Sequence, residues 1–216
     1  MGHLCLSIRG KTYRGSSFRL ERADLELPSH GVVALFGPNG AGKSTTMTLI
    51  AERPDVTFLP QAVSLPRHVK LTDFLRYAAY TYGLKRPHAA RVTEALAATD
   101  MQEYAQQRLG SLSGGQQRRA LIAQTLMADR PIVLLDEPTV GLDVDQRENF
   151  QAVLRTISED HLVMISTHIV EDIAGLADHI VILTDGVVRF DGSATAFYGD
   201  QPHSAQTFIS RYRELS

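Results

Sequence analysis

Gly37-Pro38-Asn39-Gly40-Ala41-Gly42-Lys43-Ser44-Thr45 is the stretch on which the reading of this chain turns. Its spacing, one glycine, four further residues and then Gly-Lys-Ser, is that of a loop built to hold phosphate. Upstream, residues 32–36 (VVALF) form a short apolar run of the kind that makes a buried strand. Downstream, residues 45–52 can continue as a helix, so the loop stands between strand and helix. The glycines let the backbone curl until successive N–H groups converge on one anion, and the helix N-terminus adds its partial positive charge. On this reading Lys43 reaches the β- and γ-phosphates and the Ser44 hydroxyl holds Mg²⁺. A nucleoside triphosphate is the expected ligand.

Working outward, the 216 residues suit one domain with a real core. With 22 basic and 24 acidic residues, net charge −2, there is no electrostatic case for nucleic acid. Cys5 is the sole cysteine, which excludes a disulfide framework; it is expected as a small buried hydrophobe. The N-terminus has no signal-peptide apolar region, and no apolar run approaches the ~20 residues needed to cross a bilayer. A cytoplasmic chain that does not itself span a membrane is the expectation.

Two alternating segments, residues 4–9 and 18–27, read as strands of a half-exposed antiparallel sheet, with Tyr13 in the loop between them. A short strand over residues 56–59 runs straight into Gln61. Residues 71–104 look helical, broken near Gly83 and Pro87. Leu112-Ser113-Gly114-Gly115-Gln116 precedes a helix expected over residues 120–128. The apolar strand 132–135 ends in Asp136-Glu137, and a helix over 143–157 follows. A further strand, 162–165, ends at Ser166-Thr167-His168, with a helix predicted from there through Ala177. A hairpin turns at Asp185-Gly186, and residues 204–215 suggest a last helix. Strands alternating with helices argue for an α/β fold with a mostly parallel sheet covered on both faces.

Asp136 and Glu137 stand where a buried strand emerges, and ligands of open α/β sheets gather at the carboxyl ends of strands. Such an Asp holds Mg²⁺ in phosphate-loop ATPases, and the adjacent Glu137 can deprotonate an attacking water. An acidic pair at a strand end is common on surfaces; its weight comes from the loop at 37–45. A lone histidine is more often structural than catalytic, but His168 lies at a third strand end, on the same rim. Ser113, Gly114 and Gly115, just before a helix, form a second backbone-amide anion site.

Taken together, these motifs make the chain resemble the nucleotide-binding subunit of an ABC transporter. The resemblance runs from Tyr13 to about Gly192, with the motifs in the family's order: 37–45, Gln61, 112–116, 132–137, Gly141-Leu142-Asp143 and His168. It implies a phosphate-loop NTPase core with a helical subdomain. The expected division is core plus β-subdomain at 1–62 and 113–200, helical subdomain at about 63–112, and a tail at 201–216. The resemblance also implies ATP and Mg²⁺ as ligands, with Tyr13, or Phe18 in its place, stacking on adenine. Gly37, Pro38, Asn39, Gly40, Ala41, Gly42, Lys43, Ser44 and Thr45 would hold the phosphates. Ser44, Gln61 and Asp136 would hold the metal, and Glu137, His168 and Gln61 would serve hydrolysis. Ser113, Gly114, Gly115 and Gln116 would cap ATP bound to a second copy of the domain, Asp143 bridging the two copies in a homodimer or heterodimer. An integral-membrane permease is the implied partner, holding the chain at the inner face of the cell membrane. Residues 136–143 and 166–172 look most like exporter subunits for drugs, antimicrobial peptides or lantibiotics.

One departure stands out. The family normally has a β-hairpin between the helix after the phosphate loop and the glutamine loop, and residues 50–58 leave no room for it. A reduced antiparallel β-subdomain is therefore expected, with residues 56–59 running directly toward Gln61. The aromatics Phe74, Tyr77, Tyr80 and Tyr82 are expected mainly to pack on their own subdomain, one or two of them receiving a cytoplasmic helix of the permease. The alternative is a soluble ABC ATPase serving a metal-cluster assembly scaffold. A small-molecule kinase is disfavoured, since it needs a substrate pocket and not a second phosphate site.

Overall fold

Three layers of apolar side chains organise the chain, and their periodicities explain the elements. The computed structural model describes residues 3–12, 18–83 and 88–215. In chain order the elements are β1 (His3–Ile8), β2 (Lys11–Thr12), β3 (Arg19–Leu20), β4 (Ala23–Pro28), β5 (Gly31–Phe36), α1 (Lys43–Ile50), β6 (Val56–Leu59), α2 (Leu71–Thr81) and α3 (His88–Ala98). There follow α4 (Gly114–Leu126), β7 (Ile132–Asp136), α5 (Val144–Ser158), β8 (Leu162–Thr167), β9 (His179–Thr184), β10 (Val187–Ser193), α6 (Ala194–Tyr198) and α7 (Ala205–Leu215). The central sheet has the order β10-β9-β5-β8-β7-β6, parallel throughout except for the antiparallel edge strand β10. Its middle strands read as continuous apolar runs because both faces are covered.

Alternate residues of each strand serve opposite faces. Val33, Leu35, Leu134, Met164 and Val181 pack with Met47 and Ile50 of α1 and with Leu6, Ile8, Leu25 and Leu27 of the β1–β4 pair. Ala34, Phe36, Leu135, Ile165 and Ile182 pack on the other face against Phe150, Val153, Leu154 and Ile157, the inward stripe of α5, and against Phe208 of α7. A third cluster joins α2 and α3 to α4 through Leu71, Leu75, Leu96, Ala120, Ala123 and Met127, so it extends past residue 112 into the helix that follows.

One strand lies between α1 and Gln61: β6, which pairs in parallel with β7 at the sheet edge. Several local expectations are corrected. The segment 18–27 splits into β3 and β4, with only the latter pairing β1. Cys5 is exposed on the outer face of β1, because Leu6 and Ile8 take the inward phase of the strand. The helix after residues 112–116 begins at Gly114, not at 120, because Ser113 and Gln116 form a reciprocal capping box that starts it there. Where a helix is predicted from His168 to Ala177 the structure has a single 3₁₀ turn, Val170–Asp172, followed by hydrogen-bonded turns in which Gly175 holds φ 74°. The short helix α6 carried no periodic signal and was not anticipated. Phe74 packs inward, but Tyr77 and Tyr80 are 66% and 76% exposed, so packing does not account for them.

Candidate functional site

The strand order decides the site. Going across the sheet, β5, β8, β7 and β6 are neighbours, and each delivers one motif at its carboxyl end. The phosphate loop follows β5, His168 follows β8, Asp136-Glu137 ends β7 and Gln61 follows β6. The registers Phe36↔Thr167, Asp136↔Ser166 and Leu59↔Leu135 keep these ends level. They border a cavity of about 440 Å³ lined by Phe18, Asn39, Gly40, Gly42, Lys43, Ser44, Thr45, Gln61, Glu137, Val140 and His168. Phe18 is therefore in place as an aromatic for a base, while Tyr13 lies outside the described residues.

The loop needs its glycines where they stand. A Cβ on Gly37 would sit 2.1 Å from the Leu183 carbonyl oxygen of β9. Gly42, the residue before α1, holds φ 104°, a conformation open to glycine, and a Cβ there would meet the Phe18 ring at 2.6 Å.

Lys43 is buried at 6% exposure, and its ammonium donates to the carbonyls of Gly37 (2.8 Å) and Pro38 (3.3 Å). It also stands 3.4 Å from Glu137 Oε1. Glu137 in turn lies 3.0 and 2.9 Å from His168 Nδ1 through its two carboxylate oxygens, which assigns the proton to Nδ1 when the ring is neutral. The backbone at Glu137 is left-handed and anchored on Ser166. Its φ is 46°, rare for a residue with a side chain, and its N–H donates to Ser166 Oγ at 2.9 Å and to the Ser166 carbonyl at 3.2 Å. Ser166 Oγ also donates to Asp136 Oδ1, so one serine of β8 orients both acids of β7.

The oxygen donors suit Mg²⁺. Ser44 and Gln61 are exposed at the cavity and Asp136 is buried behind it, a sparse set of hard ligands. Mg²⁺ keeps several waters and takes one or two carboxylates plus substrate phosphates, so it needs no all-protein cage. Among the described residues no group of three His, Cys, Asp or Glu side chains gathers to form one.

The second phosphate motif does not share this cavity. Ser113, Gly115 and Gln116 line a separate hollow of about 180 Å³ with Arg119, Leu142 and Gln146. Ser113 Oγ accepts from the Gln116 N–H (3.3 Å) and Gln116 Oε1 accepts from the Ser113 N–H (2.9 Å). Gln116 is thus engaged in the cap, leaving the Gly114 and Gly115 amides as the orphan donors of the helix start. Asp143 is exposed and caps α5 by accepting from the Gln146 N–H at 2.8 Å.

Two residues escaped sequence reasoning. Arg118 bonds three backbone carbonyls on two segments, the end of β7 and the residue Gln61 after β6, and no local pattern announces that. Asp172, 1% exposed, accepts from Thr139 Oγ1 and from Thr167 Oγ1 (2.9 Å) and lies 3.3 Å from Arg147. It thereby ties the turn after Glu137 to the turn carrying His168. Its position four residues past His168 was the available signal. Asp172→Ala should lower stability by about 3 kcal/mol, since it strands one cation and two hydroxyls. The urea midpoint reads this; a loss under ~0.5 kcal/mol would mean that water replaces these contacts at no cost.

Comparison with known proteins agrees with this geometry. The family described as ABC transporter matches residues 20–58 and 51–140. The chain is 29% identical over 201 residues to the uncharacterized ABC transporter ATP-binding protein YxlF of Bacillus subtilis (strain 168), covering 84% of this chain and 68% of that protein. It is 30% identical over 223 residues to the sulfate/thiosulfate import ATP-binding protein CysA of Thermosynechococcus vestitus, covering 92% of this chain and 66% of that protein. It thus spans about two thirds of the length of these relatives. The fold is shared with cbiO1 from Clostridium perfringens, part of the ABC transporter complex cbiONQ, at a TM-score of 0.77 and 20% identity over 97% of this chain and 94% of that one. With loop, acids and histidine on one rim and the family match spanning residues 20–140, more than half of the chain, the chain belongs to the ABC transporter family as one of its ATP-binding proteins, which are Mg²⁺-dependent ATPases.

Proposed function

We propose that this chain binds and hydrolyses ATP to drive a membrane permease, working as two copies that face each other head to tail. The observation that carries this is the separation of the two phosphate motifs. Lys43, Glu137 and His168 converge on one cavity, whereas Ser113 and Gly115 open onto another. A triphosphate held by residues 37–45 is then completed by residues 113–115 of a second copy, with Asp143 at the contact. Exposed Val140 and Val144, beside Asp143, are apolar surface suited to that contact.

In this reading the triphosphate competes for the Lys43 ammonium, leaving the Glu137 carboxylate to water and His168. Glu137 takes a proton as that water's oxygen bonds to the γ-phosphorus; the bond to the bridging oxygen breaks and ADP leaves with the electron pair. His168 holds the carboxylate's orientation through Nδ1. Ser44, Gln61 and Asp136 would hold Mg²⁺, which neutralises phosphate charge.

Exposed Tyr77 and Tyr80 on α2 support a permease contact there, since amphipathic rings fit a groove for a partner helix. Among the described residues no helix is long and apolar enough to cross a membrane, so attachment at the inner membrane face would come through the permease. The exporter subtype rests on residues 136–143 and 166–172 alone. The names of relatives include sulfate/thiosulfate, spermidine/putrescine and thiamine import, so export does not form part of this proposal. The metal-cluster scaffold alternative draws no support from these relatives.

The test is Ser113→Arg. ATP binding to the isolated chain should persist, while hydrolysis and the ATP-dependent dimer on size-exclusion chromatography are lost. Wild-type hydrolysis by this variant would mean that one copy contains the whole site.

A further inference from the structure

We propose that Arg118 is a positioning residue that couples the helix start at Ser113 to both Gln61 and Glu137. This rests on the reading of Glu137 as the base for ATP hydrolysis. The guanidinium of Arg118 donates from Nε to the Pro138 carbonyl (3.1 Å), from Nη2 to the Asp136 carbonyl (3.0 Å) and from Nη1 to the Gln61 carbonyl (3.2 Å). Two of these acceptors flank Glu137 in the chain, one before it and one after it. The third belongs to the glutamine at the end of β6. One rigid planar fork therefore holds the backbone on both sides of the catalytic rim, a task that suits arginine and not lysine.

The arrangement answers a need. Glu137 sits at φ 46°, which persists only where surrounding contacts over-determine it. Ser166 grips its N–H from the β8 side, and Arg118 grips the adjoining carbonyls from the α4 side. Burial lowers the pKa of Arg118, and the nearby Asp136 offsets this only in part. A half-buried cation that spends its donors on backbone carbonyls is costly, and an apolar side chain would fill the space as well. Its use here is directional. Arg118 lies five residues along α4 from the Ser113 cap, about 7.5 Å of helix axis. A helix transmits displacement as a rod over that distance, so a pull on Ser113 by a second copy's nucleotide moves the fork, and with it the Glu137 backbone and Gln61. The hollow of about 210 Å³ that Arg118 shares with Gln61, Gly114 and Glu137 leaves room for that shift.

The experiment measures ATP affinity, kcat and KM for Arg118→Met and Arg118→Lys, alone and combined with Glu137→Gln. Arg118→Met should lower kcat by roughly 10²-fold, the scale of a misplaced catalytic group, with ATP affinity and KM unchanged. Arg118→Lys should recover only part of it. In single-turnover assays on the Glu137→Gln background, Arg118→Met should cost clearly less than it does in the wild type, since one of the two groups it positions is gone and only Gln61 is left to misplace. Equal losses in both backgrounds, a loss located in ATP binding, or wild-type kcat in both Arg118 variants would overturn the proposal. Should Arg118→Met fail to fold, Arg118→Lys decides by the same comparison. If instead the wild-type chain hydrolyses no ATP, or Glu137→Gln matches wild type, the ATPase reading itself is what fails.

Discussion

Glu137→Gln should hydrolyse ATP roughly 10²–10⁴-fold more slowly than the wild-type chain, the usual contribution of a general base, while still binding it. The amide keeps the size of the side chain and leaves the Ser166 contacts to the Glu137 N–H intact, so the shape of the rim persists. What is lost is the proton acceptor. Affinity should hold or rise, because a carboxylate facing a triphosphate repels it. The variant should therefore stall with nucleotide between two copies. A single-turnover assay gives the rate, and size-exclusion chromatography with and without ATP gives the assembly. A monomer-to-dimer shift that Ser113→Arg abolishes supports the composite site. Hydrolysis at the wild-type rate would place the base elsewhere, with His168 the first candidate.

Lys43→Ala should abolish tight ATP binding. The ammonium is the one cation bordering the cavity beside the phosphate loop among the described residues, and it is buried, so its attraction for phosphate is little screened by water. Each charge-assisted hydrogen bond is worth about 1.5–3 kcal/mol, roughly ten- to 150-fold in affinity, and the ammonium can offer more than one. The substitution also leaves Glu137, 3.4 Å from the missing charge, facing the triphosphate without a compensating cation. A nucleotide titration in Mg²⁺ measures the effect. Unchanged affinity would mean that ATP does not sit at residues 37–45.

The reach of sequence reasoning differs between these residues for physical reasons. The loop at residues 37–45 is legible because its pattern is contiguous: glycines, lysine and serine stand together within one short stretch of chain. The parallel strands are legible because burial on both faces makes each an unbroken apolar run. The turn after His168 is not legible because Asp172 within it accepts from Thr139 and Thr167 and faces Arg147 on α5, contacts with distant residues that no local periodicity carries. The start of α4 was misread because glycines at 114 and 115 argue against helix, while the capping box outweighs them.

Sequence by itself determined the α/β class, the family, the glycine-rich loop at 37–45 and the acids that end β7, since each motif is made of residues adjacent in the chain and their order along it is read directly. Only the tertiary structure decided that β5, β8, β7 and β6 lie side by side, so that Lys43, Glu137 and His168 meet within hydrogen-bonding range. It alone decided that Arg118 reaches Gln61 across 57 residues of sequence, that Cys5 faces water, and that Ser113 opens away from Lys43. Strand order and side-chain reach depend on how two apolar faces are buried at once, a global condition that no local pattern encodes.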